Sequence, residues 1–302
     1  MYFPEAGIYV DWWLPPLAAF LISSLTSAGG VSGAFLLLPY QVSFLGYTAP
    51  SVSATNQLYN VIAIPGGVIR YIREGRMVWP LAGIIAAGSV PGVLAGALIR
   101  INWLDDPSDF KKFAALVLLY IAFRLVRDIF KKDTAEKEQD LIFRQKMKDR
   151  SVRSLKTESF SITDLEFSFY GEPYRMNVPA VFLISFVVGI AGGAYGIGGG
   201  AIIAPLLIVL YRLPVYIIAG AALISTMATS FTAVAFFQLL AAFYPEKSVS
   251  PDWLLGLLFG LGGLAGVYFG AVVQKYLPSL IIKIIIAISM ILLAARYIFM
   301  ND

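Results

Sequence analysis

The chain has 302 residues, of which 58% are hydrophobic and only 14% charged, with a mean hydropathy of +0.76; a soluble domain of this size is far less apolar. It contains no Cys and no His, which excludes disulfides, thiolate metal sites and the usual general base, so neither an enzyme nor a bound cofactor is expected. The net charge of +4 comes from Lys and Arg lying between hydrophobic stretches rather than in a patch interleaved with aromatics, so it reads as membrane topology and not as nucleic-acid binding.

The opening residues, MYFPEAGIYVDWWLPP, lack the basic start of a signal peptide and carry Glu5 and Asp11 instead. From Trp12 to Ile69 there is no charged residue over 58 positions, when one spanning helix needs about 20. Its first part, Leu14 to Gly46, would make a straight helix of about 50 Å against a hydrocarbon core of about 30 Å. Gly29-Gly30 and Gly33 interrupt it, which predicts two half-helices, Leu14 to Ala28 and Ala34 to Gly46, with Pro39 a further break inside the second. Spans over Ser51 to Tyr71, Met77 to Arg100 and Phe110 to Phe130 complete a first membrane repeat, 12–130.

A polar stretch, 131–177, follows with ten Lys/Arg against nine Asp/Glu. An amphipathic helix is expected near Leu141 to Leu155, and FSITDLEFSFY alternates; the segment reads as a linker with local structure. The membrane pattern then returns over 178–300 as Val178 to Tyr211, again too long and broken by glycines, Pro214 to Tyr244, Trp253 to Val273 and Ser279 to Met300.

The two halves match. FLIS stands at 20 to 23 and at 182 to 185, and Gly30, Gly33 and Pro39 align with Gly196, Gly199 and Pro205 at a constant offset of 166. Gly88, Gly92 and Gly96 align with Gly262, Gly266 and Gly270, and Arg127, Ile129 and Phe130 with Arg296, Ile298 and Phe299. The expected fold is an all-α polytopic membrane protein of two homologous four-segment repeats, with seven or eight hydrophobic segments in all.

Basic residues favour the cytoplasmic side, which places the linker inside with Arg70, Arg73 and Arg76, and the loop of Asp105, Asp106 and Asp109 outside the plasma membrane. If each broken first segment is a re-entrant hairpin, the halves are inverted, with Arg212 and Lys275 inside. If it crosses fully, they are parallel, with Lys247 and Arg296 inside. Charge does not separate the two in the second half, but the acidic N-terminal tail belongs outside, which favours the hairpin and inverted repeats.

The segment GIAGGAYGIGGGAIIAPLL, Gly189 to Leu207, packs seven glycines and a proline into membrane. Non-helical backbone at that depth survives only where protein or a watery cavity satisfies it. An opened turn at Gly196, Gly198 and Gly199 with a helix starting near Gly200 would point free N–H groups and a positive dipole end inward, an anion site without Lys or Arg. The turn at Gly30, Ser32 and Gly33 would offer the same from the first half, and close helix packing is the competing account of all these glycines. The polar residues inside spans are Thr55, Asn56, Gln57 and Asn60, then Ser225, Thr226, Thr229, Ser230 and Gln238; of these Thr55, Asn56 and Thr229 are the candidate ligands. No carboxylate stands mid-span, so a proton relay lacks its main part. Arg124, Arg127, Lys283 and Arg296 lie near span ends, where they snorkel to the interface or relay an anion.

GGVSGAFLLLPYQV with the following SATNQL, and GAYGIGGGAIIAPLL in the second half, resemble the TauE/SafE family of sulfite exporters over nearly the whole chain outside the linker. The resemblance implies transport of sulfite or a sulfur-containing organic anion, by export or as a permease. By motif position it points to Gly30, Ser32, Gly33, Pro39, Thr55 and Asn56, then Gly196, Gly198, Gly199, Gly200 and Pro205. The chain departs from the family pattern at Ala221-Ala222, where Thr-Ser is more typical, and in its long linker. The expected partners are a small anionic substrate and the bilayer; alternating access between the halves is the leading mechanism, an anion channel the alternative.

Overall fold

The computed structural model describes residues 1–28, 32–73, 75, 77–130, 155–169, 171–211, 215–273 and 279–299. A two-stranded hairpin, β1 (Tyr2–Phe3) and β2 (Ile8–Tyr9), precedes α1 (Leu14–Ala28) and α2 (Ala34–Ser43). Then come α3 (Ser51–Ala63), α4 (Pro65–Arg73), α5 (Trp79–Asn102) and α6 (Pro107–Phe130). Strands β3 (Leu155–Phe160), β4 (Asp164–Phe169) and β5 (Glu172–Asn177) lead into α7 (Val178–Tyr195) and α8 (Gly200–Tyr211). The chain closes with α9 (Val215–Ala241), α10 (Trp253–Val273) and α11 (Ser279–Phe299). Among the described residues four helices are long and apolar enough to cross a membrane, lying within α5, α7, α9 and α10, beside several shorter apolar helices.

Both over-long first segments break at glycine, as the length argument requires. The expected single span from Ser51 to Tyr71 does not form: Pro65 has no N–H to give and disfavours helix at Ile64, so α3 ends there and α4 restarts at the proline. The fold is also not all-α. The end of the linker is an antiparallel meander in the order β3-β4-β5, because a period of two puts Leu165, Phe167 and Phe169 on one buried face with Met176. Leu155, the expected end of an amphipathic helix, opens β3; the rest of that expected helix lies outside the described residues.

Small residues decide which helices meet. A Cβ on Gly88, Gly92 or Gly96 of α5 would strike the carbonyls of Phe182, Phe186 and Ile190 of α7. One on Gly262, Gly266 or Gly270 of α10 would strike those of Pro16, Phe20 and Ser24 of α1. The same backbone-to-backbone seam thus occurs twice, its carbonyls 166 positions apart, the offset of the glycine breaks. Each half's first helix packs on the glycine-triplet helix of the other half, α1 on α10 and α7 on α5, and α9 likewise packs on α3 and α6 on α11.

These contacts also fix directions. α5 and α7 run side by side the same way, as do α1 and α10. α3 runs with α10, through Leu58 on Gly256 and Ile62 on Gly260. It runs against α9, through Gln57 on Ser230 and, one break later, Gly67 on Leu223. α5 runs with α9, through Ala82 on Ser225 and Asn102 on Tyr244. The two first helices, α1 and α7, therefore point in opposite directions.

One end of the bundle gathers the N-terminal tail, the Thr48–Ser51 turn and the loops before α6 and α10. Ser51 donates to the Glu5 carbonyl (3.2 Å) and its N–H to the Ser248 carbonyl (3.0 Å), and Lys247 pairs with Asp105 (2.8 Å). Arg100, fully buried at the end of α5, donates to the carbonyls of Thr48 and Leu104 and lies 3.8 Å over the Phe110 ring. Charge patterning does not anticipate so buried an arginine. It is tolerated because carbonyls and an aromatic face replace water around the guanidinium. At the opposite end Tyr211, the last residue of α8, lies beside the backbone of Asn177, just ahead of α7.

Candidate functional site

The two breaks meet in the middle of the bundle. α7 ends on Gly196, whose φ of +88° is left-handed, and Gly198 repeats that conformation at +74°; a side chain would be strained at both. The Gly192 carbonyl takes the N–H groups of Gly196, Ile197 and Gly198, at 2.9, 2.9 and 3.3 Å. The Gly199 N–H goes instead to Thr229 Oγ1 on α9, at 3.2 Å. α8 then starts at Gly200, its first N–H groups without intrahelical acceptors as at any helix start.

Opposite, Gly33 precedes α2 and its carbonyl takes the N–H groups of Leu36 and Leu37. Ser32 Oγ accepts from the Ala34 N–H at 3.4 Å. A Cβ on Gly33 would lie 2.5 Å from the Tyr59 hydroxyl, 3.0 Å from Ser23 Oγ and 3.4 Å from Thr26 Oγ1. Around Gly198 stand Thr226, Thr229 and Ser230. Each turn is thus lined by hydroxyls from neighbouring helices.

Asn56 of α3 joins the two. Its amide donates at 2.9 Å both to the carbonyl of Ala34 and to that of Gly196, and its Oδ1 accepts from Gln41 Nε2 at 3.1 Å. Gln57 donates to Gly192 O (3.3 Å) and accepts from Ser230 Oγ (2.6 Å), Ser53 donates to Ala194 O, and the Tyr195 hydroxyl reaches Phe35 O (2.9 Å). All these side chains are buried and uncharged. Two helix N-termini, each carrying a partial positive charge, therefore converge on a buried polar centre with no Lys or Arg among its described residues.

Of the sequence candidates, Gly33, Asn56, Gly196, Gly198, Gly199, Gly200 and Thr229 come together here, with Ser32 at the rim. Thr55 does not: its hydroxyl turns to the Tyr47 hydroxyl (2.9 Å) and the Asp252 N–H (2.9 Å), toward the end that holds the N-terminal tail. Pro39 sits inside α2, where its carbonyl accepts from Tyr297, and Pro205 lies within α8. Gly30 lies outside the described residues. Gly199 faces Ser89 of α5 and Gly200 faces Ala222 and Thr226 of α9, so packing alone already demands a glycine at each.

Sequence reasoning passed over Ser23, Gln41, Ser53, Tyr59 and Tyr195. Gln41 carried a usable signal as the one amide in an apolar half-helix, and Tyr195 stands directly before the left-handed glycine. Gln238, an intramembrane amide by sequence, pairs with Trp253 Nε1 at an exposed position away from the centre.

Among known proteins, the profile of the family described as "Sulfite exporter TauE/SafE" matches residues 16–297. The "Probable membrane transporter protein YunE" of Bacillus subtilis is 22% identical over 289 residues, 94% of each chain. A "Probable membrane transporter protein" of Xylella fastidiosa is 22% identical over 251 residues, 83% of this chain and 80% of its own. One from Methanocaldococcus jannaschii is 28% identical over 131 residues, 43% of this chain and 46% of its own. No solved structure matches.

Proposed function

The chain belongs to the sulfite exporter TauE/SafE family, and on that premise we propose that it carries a small sulfur-containing oxyanion such as sulfite across the plasma membrane by alternating access between its halves. It is a multi-pass membrane transporter, and a transporter takes a small-molecule substrate and works in a bilayer. The observation that carries the finer reading is the double bridge of Asn56, which holds the start of α2 and the turn before α8 against each other. Opened helix ends at the interface of two halves are a recurrent way to bind a charged substrate at mid-membrane depth.

The opposite directions of α1 and α7 support inverted repeats, and the Glu5 to Ser51 and Tyr211 to Asn177 contacts support re-entrant α1–α2 and α7–α8 pairs. Lys and Arg counts then put the linker and its sheet in the cytoplasm and the N-terminal tail outside. In a cell negative inside, outward movement of an anion is downhill by about 2.3 kcal/mol per charge per 100 mV, which favours export without a coupling ion.

Flux in proteoliposomes loaded in turn with sulfite, sulfate, thiosulfate, taurine and sulfoacetate tests the reading. The expected result is saturable efflux of sulfite or a sulfonate. Failure of every sulfur anion to move removes the substrate class, and unitary currents in planar bilayers replace the carrier with a channel.

A further inference from the structure

Asn60 of α3 is fully buried, and neither its amide nitrogen nor its amide oxygen has a partner among the described residues. It stands three residues after Gln57 and four after Asn56, so it shares their helix face. That face meets Ser230, Gly192 and Gly196, while Leu58 and Ile62 on the other side pack against Gly256 and Gly260 of α10. Asn56 and Gln57 have both amide ends engaged. One turn deeper, Asn60 leaves a donor and an acceptor unspent in the membrane interior, where an unpaired amide is most costly. Gln41, which donates to Asn56, also keeps its own Oε1 unpartnered and buried.

These atoms say what the ligand must carry. Unspent carbonyl oxygens at Asn60 and Gln41 ask for a hydrogen-bond donor, and the Asn60 amide nitrogen offers itself to an acceptor. With no cation in the centre, a dianion would cost about four times as much to desolvate as a monoanion, because the Born term grows with the square of the charge. We propose that Asn60 contacts the substrate, and that this substrate is a singly charged, protonated oxyanion of the hydrogensulfite class. It would accept from the Asn60 amide nitrogen and donate its one hydroxyl to the Asn60 amide oxygen. The inference rests on the transport reading above and narrows it.

The test is proteoliposome flux of sulfite, sulfate and methanesulfonate between about pH 6 and 8, for the unmodified protein and for Asn60→Leu. Sulfite loses its second proton in this range. Methanesulfonate stays singly charged and reports any titration of the protein itself. On the elements packed against α3 the charged residues are Arg70, Arg73 and Asp252, and the other titratable groups are tyrosines.

Sulfite flux is expected to follow the hydrogensulfite fraction as pH rises, while methanesulfonate flux is weaker and flat and sulfate does not move. Asn60→Leu should lower sulfite flux about tenfold or more, the loss of two hydrogen bonds. Its melting temperature should stay level or rise, since leucine removes an unpartnered amide. Sulfite flux that grows with the dianion, or methanesulfonate flux with the same pH slope, overturns the charge assignment. Full flux in Asn60→Leu, or a lower melting temperature, overturns the role of Asn60 and leaves the transport reading standing. An unmodified protein that moves none of the three anions overturns both.

Discussion

Replacing Asn56 by alanine should loosen the scaffold before it touches the substrate. The side chain makes three hydrogen bonds, two donated at 2.9 Å to Ala34 O and Gly196 O and one accepted at 3.1 Å from Gln41. A buried group stripped of its partner costs about 1–3 kcal/mol. Ala34 O keeps its bond within α2 and falls at the low end, whereas Gly196 O and the Gln41 amide lose more. The sum is about 3–5 kcal/mol, which at about 2 °C per kcal/mol for a long chain lowers the melting temperature by about 6–10 °C. Asn56→Asp should be worse, because a carboxylate would face two carbonyl oxygens where an amide now donates. Thermal aggregation in detergent, followed by size-exclusion chromatography, reads the shift. If Asn56→Ala melts within about 2 °C of the unmodified protein yet loses sulfite binding, the three bonds do not brace the breaks and Asn56 is a substrate ligand instead.

Gly92→Ala places a methyl group against the Phe186 carbonyl and should cost about 1–3 kcal/mol as α5 and α7 are forced apart, with substrate affinity of the remaining folded protein unchanged; a lost affinity would move the site toward that seam. Gly199→Val would meet Ser89, so it should abolish transport together with a fall in thermal stability rather than leave a stable inactive protein, as the same melting assay reports. Single cysteines at Tyr2 and Thr48 of this Cys-free chain should both react with an impermeant thiol reagent from outside; reaction of only one would end the hairpin topology. In the linker sheet, the hydrogen bond from Arg175 holds the Asp164 carboxyl below its ordinary value, so its small contribution is complete above the unfolded value and is lost as pH falls through the folded one. Amide protection in β4 and β5, taken relative to the intrinsic exchange rate at each pH, should fall on acidification and lose that dependence in Asp164→Asn.

Features that depend on local spacing were legible in the sequence. The breaks at Gly33 and Gly196 follow from segment length against bilayer thickness, and α10 begins and ends at Trp253 and Val273 as its apolar run does. The alternation of FSITDLEFSFY marked local structure in the linker, but its pairing depends on β3 and β5 together, and the EPYRMN of β5 has little alternation of its own. Tertiary partnership was hidden. Asn56 and Thr55 look alike as adjacent polar residues, yet one turns inward to both breaks and the other to Tyr47 and Asp252, because a helix rotates about 100° per residue. Arg100 reads as a span end, and only the approach of Thr48, Leu104 and Phe110 explains how it is buried.

The crossed seams have a consequence for how the protein is made. α1 lies in a groove of α10 that begins 225 residues after α1 ends. At about 5–20 residues per second the ribosome needs about 10–45 s to supply it. Until then α1 sits in lipid without the helix that packs along it, open to quality-control proteases and to retention by insertion machinery. α7 waits for nothing, since its seat on α5 already exists when it emerges. Biogenesis is thus lopsided in a molecule whose finished packing is reciprocal, and lesions in α10 should be read by the cell as defects of the N-terminal half.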